Sequence, residues 1–131
     1  MSDIHNISTA ALAYLGDCVI ELCVRRHLVE SGLSTSAHLN AAALDFVRAG
    51  AQAEAMKRIL PILSEEESAY FRRGRNIGHT NVPKRATVSE YRTATGMEVL
   101  FGYLHLTAQA DRIDQLFRLA YLTGTSEETK E

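Results

Sequence analysis

Helical periodicity constrains this chain more than any other feature. Leu12, Leu15, Val19 and Leu22 recur at three- and four-residue steps, the spacing of one face of an α-helix. The same stretch, Ala11-Leu12-Ala13-Tyr14-Leu15-Gly16-Asp17-Cys18-Val19-Ile20-Glu21, holds a carboxylate, Asp17, in apolar surroundings, beside a glycine and after alanines. Two prolines and eight glycines in 131 residues leave such helices largely uninterrupted. The expected fold class is therefore all-α. The length fits one domain, since domains cluster at roughly 100–150 residues, and a hydrophobic content of 46% is ample for its core.

Start and stop signals divide the chain. Ser8 or Thr9 can cap a first helix that runs to about Glu30 and stops at Ser31-Gly32. Ser34, Thr35 and Ser36 offer caps for an Ala-rich helical stretch over about 36–60, with Leu39, Ala43, Phe46 and Val47 inward. Gly50 is a candidate break, and Pro61 marks the end. Ser64-Glu65-Glu66-Glu67 reads as a capping box opening a helix to about Arg73. Gly74 to Ala86 has no periodicity and is the one long loop. A helix over about 88–106 turns Met97, Leu100, Phe101 and Leu104 inward, and a last one over about 109–123 turns in Ile113, Leu116, Phe117 and Ala120. The domain thus spans 1–124, with a polar, disordered tail at 125–131.

Composition excludes some classes. A net charge of −2 gives no global nucleic-acid signature, though it leaves room for a local one. Cys18 and Cys23, five apart on one helix, point about 140° apart and cannot bridge. They read as reduced thiols of a cytoplasmic protein, and no Cys/His cluster suits zinc. The N-terminus lacks a signal-peptide pattern, and no apolar run approaches the roughly 18 residues of a membrane span. His27, His38 and His105 form no His/Asp dipeptide of the kind that metal-dependent phosphohydrolases use.

Two carboxylates stand out. Asp17 shares a helix face with Ala10, Ala13 and Glu21; Glu98 shares one with Ala94 or Thr95, Gly102 and His105. Small neighbours let two such faces cross closely, which brings the acids together. Unpaired, two adjacent buried carboxylates repel and are costly to desolvate, and a divalent cation relieves both costs. Mg²⁺ is typically held by one or two carboxylates, waters and substrate phosphate oxygens. The plain alternative is that Asp17 faces solvent or accepts a hydrogen bond from a neighbouring helix. Glu21 has its own, an i,i+4 pair with Arg25, and is kept only as an outer candidate.

Charge is also locally biased. Arg72, Arg73, Arg75, Lys84, Arg85 and Arg92 stand against a single acid, Glu90, between Tyr70 and Arg92. Arginine binds phosphate bidentately, and the loop has few aromatics for stacking single-stranded bases. The alternative is a solvated loop whose arginines pair with Glu65, Glu66 and Glu67.

Tyr14-Leu15-Gly16-Asp17 resembles the Phe-Leu-Gly-Asp core of the ribonuclease III signature. Ala94-Thr95-Gly96-Met97-Glu98-Val99-Leu100-Phe101-Gly102-Tyr103-Leu104 resembles that family's second acidic motif. Arg73-Gly74-Arg75-Asn76, Pro83-Lys84 and Tyr91-Arg92, with no double-stranded-RNA-binding domain attached, look like the Mini-ribonuclease III subfamily. The resemblance implies a single all-α ribonuclease III-type domain that forms a homodimer and acts as an endoribonuclease. It would cut double-stranded RNA with Mg²⁺, or Mn²⁺ in its place, leave 5′-phosphate ends, and mature the large-subunit (23S) ribosomal RNA precursor. It makes Asp17 the catalytic aspartate and Glu98 a metal ligand, with Arg72, Arg73, Arg75, Asn76, Lys84 and Arg85 as RNA-binding candidates. A ribosomal-protein helper is compatible with it. Three carboxylates of full-length relatives are absent, at Ala10, Ala13 and Thr95. Two other classes stay open: a non-catalytic RNA-binding relative acting in ribosome assembly, and a helical adaptor that binds only protein.

Overall fold

Ser8 accepts a hydrogen bond from the Ala11 N–H at 3.0 Å and so caps the first helix, α1, Thr9–Glu30. The computed structural model describes residues 3–77 and 86–122. A 3-10 turn, Ile4–Asn6, precedes α1, and Gly32 follows it at φ +103°, a conformation open chiefly to glycine. Then come α2 (Ser36–Val47), α3 (Ala49–Ile59), a 3-10 turn Leu60–Ile62, α4 (Glu65–Arg75), α5 (Val88–Leu106) and α6 (Ala110–Tyr121). No strand occurs among the described residues, so the all-α expectation is met. The tail at 125–131 and most of the expected loop, with His79, Lys84 and Arg85, lie outside the described residues.

Helix α5 is the centre of the molecule. From Ala94 to Leu104 every residue is buried except Glu98, which is half-buried. Such an all-round apolar helix needs neighbours on every side, and α1, α3, α4 and α6 supply them. Met97, Leu100, Phe101 and Leu104 are inward as expected, together with Ile113, Leu116, Phe117 and Ala120 of α6. Both ends of α5 are built by local chemistry. Thr87 and Glu90 form a capping box at the start. At the finish Gln109 N–H reaches Leu104 O (3.0 Å) and Ala108 N–H reaches His105 O (3.1 Å), with Ala108 at φ +58°.

The sequence reading is corrected at three points. The break in the Ala-rich stretch falls at Arg48, not Gly50: Arg48 is extended (φ −64°, ψ 151°) and its Nε–H donates to Leu44 O at 3.2 Å, satisfying the end of α2. Gly74 does not open a loop; it is buried in the last turn of α4. Leu22 is not a core residue but 67% exposed. The stripe of α1 pressed inward runs Leu12, Gly16, Val19, Ile20, Val24 and Leu28, and Leu22 sits about 200° around the axis from Ile20.

The Glu67–Arg112 pair pins α6 to α4. Both Glu67 oxygens accept from Arg112 at 2.8 Å, and Arg112 also donates to Ile62 O at 3.0 Å. Glu67 is therefore committed to α6 and is no partner for the loop arginines.

Candidate active site

Glycines set the distance between the two acids. At Gly16 an added Cβ would fall into the backbone carbonyl of Glu98, and at Gly102 it would fall onto Leu12 O. Helices α1 and α5 therefore cross backbone to backbone, at a point where only hydrogen fits. Asp17 follows one of these glycines and Glu98 precedes the other by one turn, so the crossing brings both carboxylates to the same place. The crossing face of α1 is not the Ala10, Ala13, Asp17 and Glu21 face read from the sequence but the adjacent one of Leu12, Gly16 and Val19; on α5 Gly102 does lie on the expected face.

The electrostatics follow from this crossing. Burial, and then the negative charge of Asp17, push the Glu98 carboxyl up to about 7 from an ordinary value of 4.5. A carboxylate in that position is destabilised when ionised, by burial and by its acidic neighbour. The donor set suits a divalent ion with oxygen ligands: two carboxylates, one exposed and one half-buried. No group of three or more His, Cys, Asp or Glu side chains able to hold a metal occurs among the described residues. Asp17 and Glu98 would thus hold the ion, with its remaining positions left to water and phosphate oxygens.

The surrounding candidates separate. Glu21 is bonded to Arg25 at 3.1 Å, the helical pair open to it in the sequence. Thr95 is buried with its hydroxyl donating to Tyr91 O at 3.0 Å, one turn back on its own helix. Ala10 is exposed and Ala13 half-buried, so α1 offers no second acid there.

Of the basic candidates, Arg72, Arg75 and Asn76 are exposed at the end of α4. Arg75 lies 5.8 Å over the Phe71 ring and its Nε–H reaches Asn76 Oδ1 at 3.4 Å. Arg73 is different. It is half-buried and turned inward, donating to Thr9 Oγ1 at 3.0 and 3.1 Å and to Ile7 O at 3.2 Å. Lys84 and Arg85 lie outside the described residues. No short-range signal could have shown the Arg73–Thr9 or Arg112–Glu67 contacts, because each joins residues more than forty positions apart.

Comparison with known proteins places the chain in a family. The family described as the Ribonuclease III domain matches residues 10–109. The Mini-ribonuclease 3 of Enterococcus faecalis is 42% identical over 118 residues, 88% of this chain and 89% of that one. The Mini-ribonuclease 3 of Desulfitobacterium hafniense is 44% identical over 111 residues, 83% and 69% of the two chains. A crystal structure of a protein from Fusobacterium nucleatum superposes with a TM-score of 0.81 at 30% identity, covering 90% of this chain and 94% of that one. With a family match over residues 10–109 and relatives 42% and 44% identical along most of the chain, this protein belongs to the ribonuclease III family, among its Mini-ribonuclease 3 members.

Proposed function

We propose that this protein is a Mg²⁺-dependent endoribonuclease that cuts double-stranded RNA and leaves 5′-phosphate ends. Its endoribonuclease class follows from family membership; the metal, substrate and products are the proposal. The observation that carries it is the meeting of Asp17 with a half-buried Glu98 whose carboxyl is pushed up to about 7 by burial and by that neighbour. A divalent cation there would supply charge stabilisation for a scissile phosphate and lower the pKa of a bound water. Asp17 and Glu98 would hold it, Glu98 from within the buried stretch of α5. Arg72, Arg75 and Asn76 at the end of α4, with Lys84 and Arg85, are assigned to the RNA backbone, because A-form duplexes are read by shape and phosphate contacts.

The proposal includes a homodimer. It is supported by Tyr14, Leu22 and Val29, 86%, 67% and 61% exposed, which with Cys18 line one face of the Asp17 helix. Two protomers supply one site per strand of a duplex. The substrate assigned is precursor large-subunit (23S) ribosomal RNA in the cytoplasm, where the two free thiols stay reduced. The proposal leaves room for a ribosomal-protein helper that presents the RNA. No helix among the described residues is long and apolar enough to cross a membrane.

Incubating a structured ribosomal RNA fragment with and without Mg²⁺ tests the reading. Wild type is expected to cleave only with the metal, and Asp17→Asn to bind the RNA without cutting it. Cleavage by Asp17→Asn at the wild-type rate refutes the assignment. Binding without cleavage by wild type would favour the non-catalytic relative.

A further inference from the structure

We propose that Arg73 is a positioning residue, part of a brace that holds the Asp17 helix at a fixed angle to the Glu98 helix; this rests on the nuclease reading above. The argument begins at the glycine crossing. Where Gly16 and Gly102 touch, α1 and α5 meet with no side chain between them, so that point sets their separation and leaves their angle to the packing and ties on either side.

Helix α4 is joined tightly to α5. An added Cβ at Gly74 would come within 2.7 Å of Gly96 Cα, and one at Gly96 would come within 2.6 Å of the Phe71 ring. Tyr70 of α4 stacks on Tyr103 of α5 at 4.1 Å between centroids and 15° between planes. These contacts join the two helices closely along their length. Helix α1 touches α4 little, and the polar tie between them is Arg73. Its guanidinium lies 5.0 Å over the Tyr70 ring and donates forward to Thr9 Oγ1 and Ile7 O. A second contact of the same corner joins the Tyr70 hydroxyl to His5 Nδ1 at 3.5 Å. The chain Tyr103–Tyr70–Arg73–Thr9 thus links the helix of Glu98 to the first turn of the helix of Asp17, two turns before the acid.

The brace needs a planar fork, since one guanidinium must face a ring and reach two acceptors at once; a lysine ammonium supplies charge without that shape. A phosphate contact would tolerate lysine. This difference separates the brace from the RNA-binding role suggested by the run of arginines.

Arg73→Ala, Arg73→Lys, Thr9→Val and the Arg73→Ala/Thr9→Val double variant would be assayed on a short RNA duplex well below their melting temperatures. The brace predicts that Arg73→Ala and Thr9→Val each lower kcat about tenfold or more, because a misplacement of order 1 Å costs up to about a hundredfold. KM and the salt slope of RNA binding stay within about twofold. Arg73→Lys gives no rescue, and the double variant is no worse than Arg73→Ala. Rescue by lysine, or a flatter salt slope in Arg73→Ala, makes Arg73 a phosphate contact and overturns the brace. An unchanged kcat with only a lower Tm makes the tie structural and also overturns it. Thr9→Val, which keeps the branched shape and removes one acceptor, carries the test if Arg73→Ala fails to fold. Should wild type cleave no duplex, the nuclease reading falls separately. The brace is then read from the Mg²⁺ midpoint for thermal stabilisation: a threefold or larger rise in both single variants supports it, and no change overturns it.

Discussion

Replacing Glu98 by glutamine should make this protein more stable while destroying its activity. The Glu98 carboxyl titrates near 7 in the fold against 4.5 in its ordinary state. Because the folded value is raised, the native state holds the proton more tightly than the unfolded chain. The stability that this one group contributes is greatest below pH 4.5, falls as the pH rises from there to about 7, and is level above that. A displacement of this size corresponds to roughly 3 kcal/mol between the two plateaus. The half-buried setting of Glu98 and its α5 wall keep solvent from screening most of it. Glu98→Gln has nearly the same shape and no charge, so it should not lose that stability. Urea denaturation with a chelator present should show little difference between the two proteins at pH 4.5. Glu98→Gln should be about 3 kcal/mol more stable at pH 8. For 131 residues unfolding with about 2.1 cal/mol/K each, this is a Tm rise of about 10 °C. Mg²⁺ should raise the wild-type Tm at pH 8 and leave that of Glu98→Gln nearly unchanged. A difference that does not depend on pH, or a less stable variant at pH 8, refutes the view that Glu98 is held ionised against its neighbour.

Three further outcomes follow from the geometry. Gly16→Ala drives a methyl into the Glu98 carbonyl; overpacking at a backbone contact should cost more than about 3 kcal/mol and abolish cleavage, measured by thermal melting and duplex cleavage. Arg112→Ala leaves the buried Glu67, 7% exposed at its side chain, without its cation, for a loss of about 3 kcal/mol at pH 7. Arg112 holds the Glu67 carboxyl below its ordinary value, so this stability is present above pH 4.5 and fades as pH falls, and acid titration of the variant should show a smaller loss. Ala108→Gly should raise stability by roughly 0.5–1 kcal/mol in chemical denaturation, because Ala108 takes the left-handed position that ends α5 at φ +58°.

The nuclease reading also divides labour within the run of arginines. Arg72 and Arg75 are exposed and available to a phosphate backbone, whereas Arg73 is turned toward Thr9 and Ile7. Adjacent residues on a helix point about 100° apart, so a run of basic residues cannot all face one partner. Composition shows the charge; only the rotation of α4 against its neighbours shows which side chains solvent can reach.

Local chemistry alone determined much of this protein. The caps at Ser8 and Ser64, the stop at Gly32 and the inward face of α6 depend on residues within one or two turns, and these were legible in the chain. The two acids stood out as carboxylates among small and apolar residues, but spacing alone left a solvent-facing Asp17 open, and the role proposed for them rests on the resemblance of their motifs. Contacts between distant segments were not legible. Leu22 shares the period of a core residue and lies on the surface, since the direction from which α5 approaches α1 is a tertiary fact. The pairing of Gly16 with Gly102, the tie from Arg73 to Thr9 and the bond from Glu67 to Arg112 likewise needed the fold. Periodicity states that a helix has an inside; which helix lies there, and how near, is decided by the packing of the whole chain. That packing places Asp17 beside Glu98.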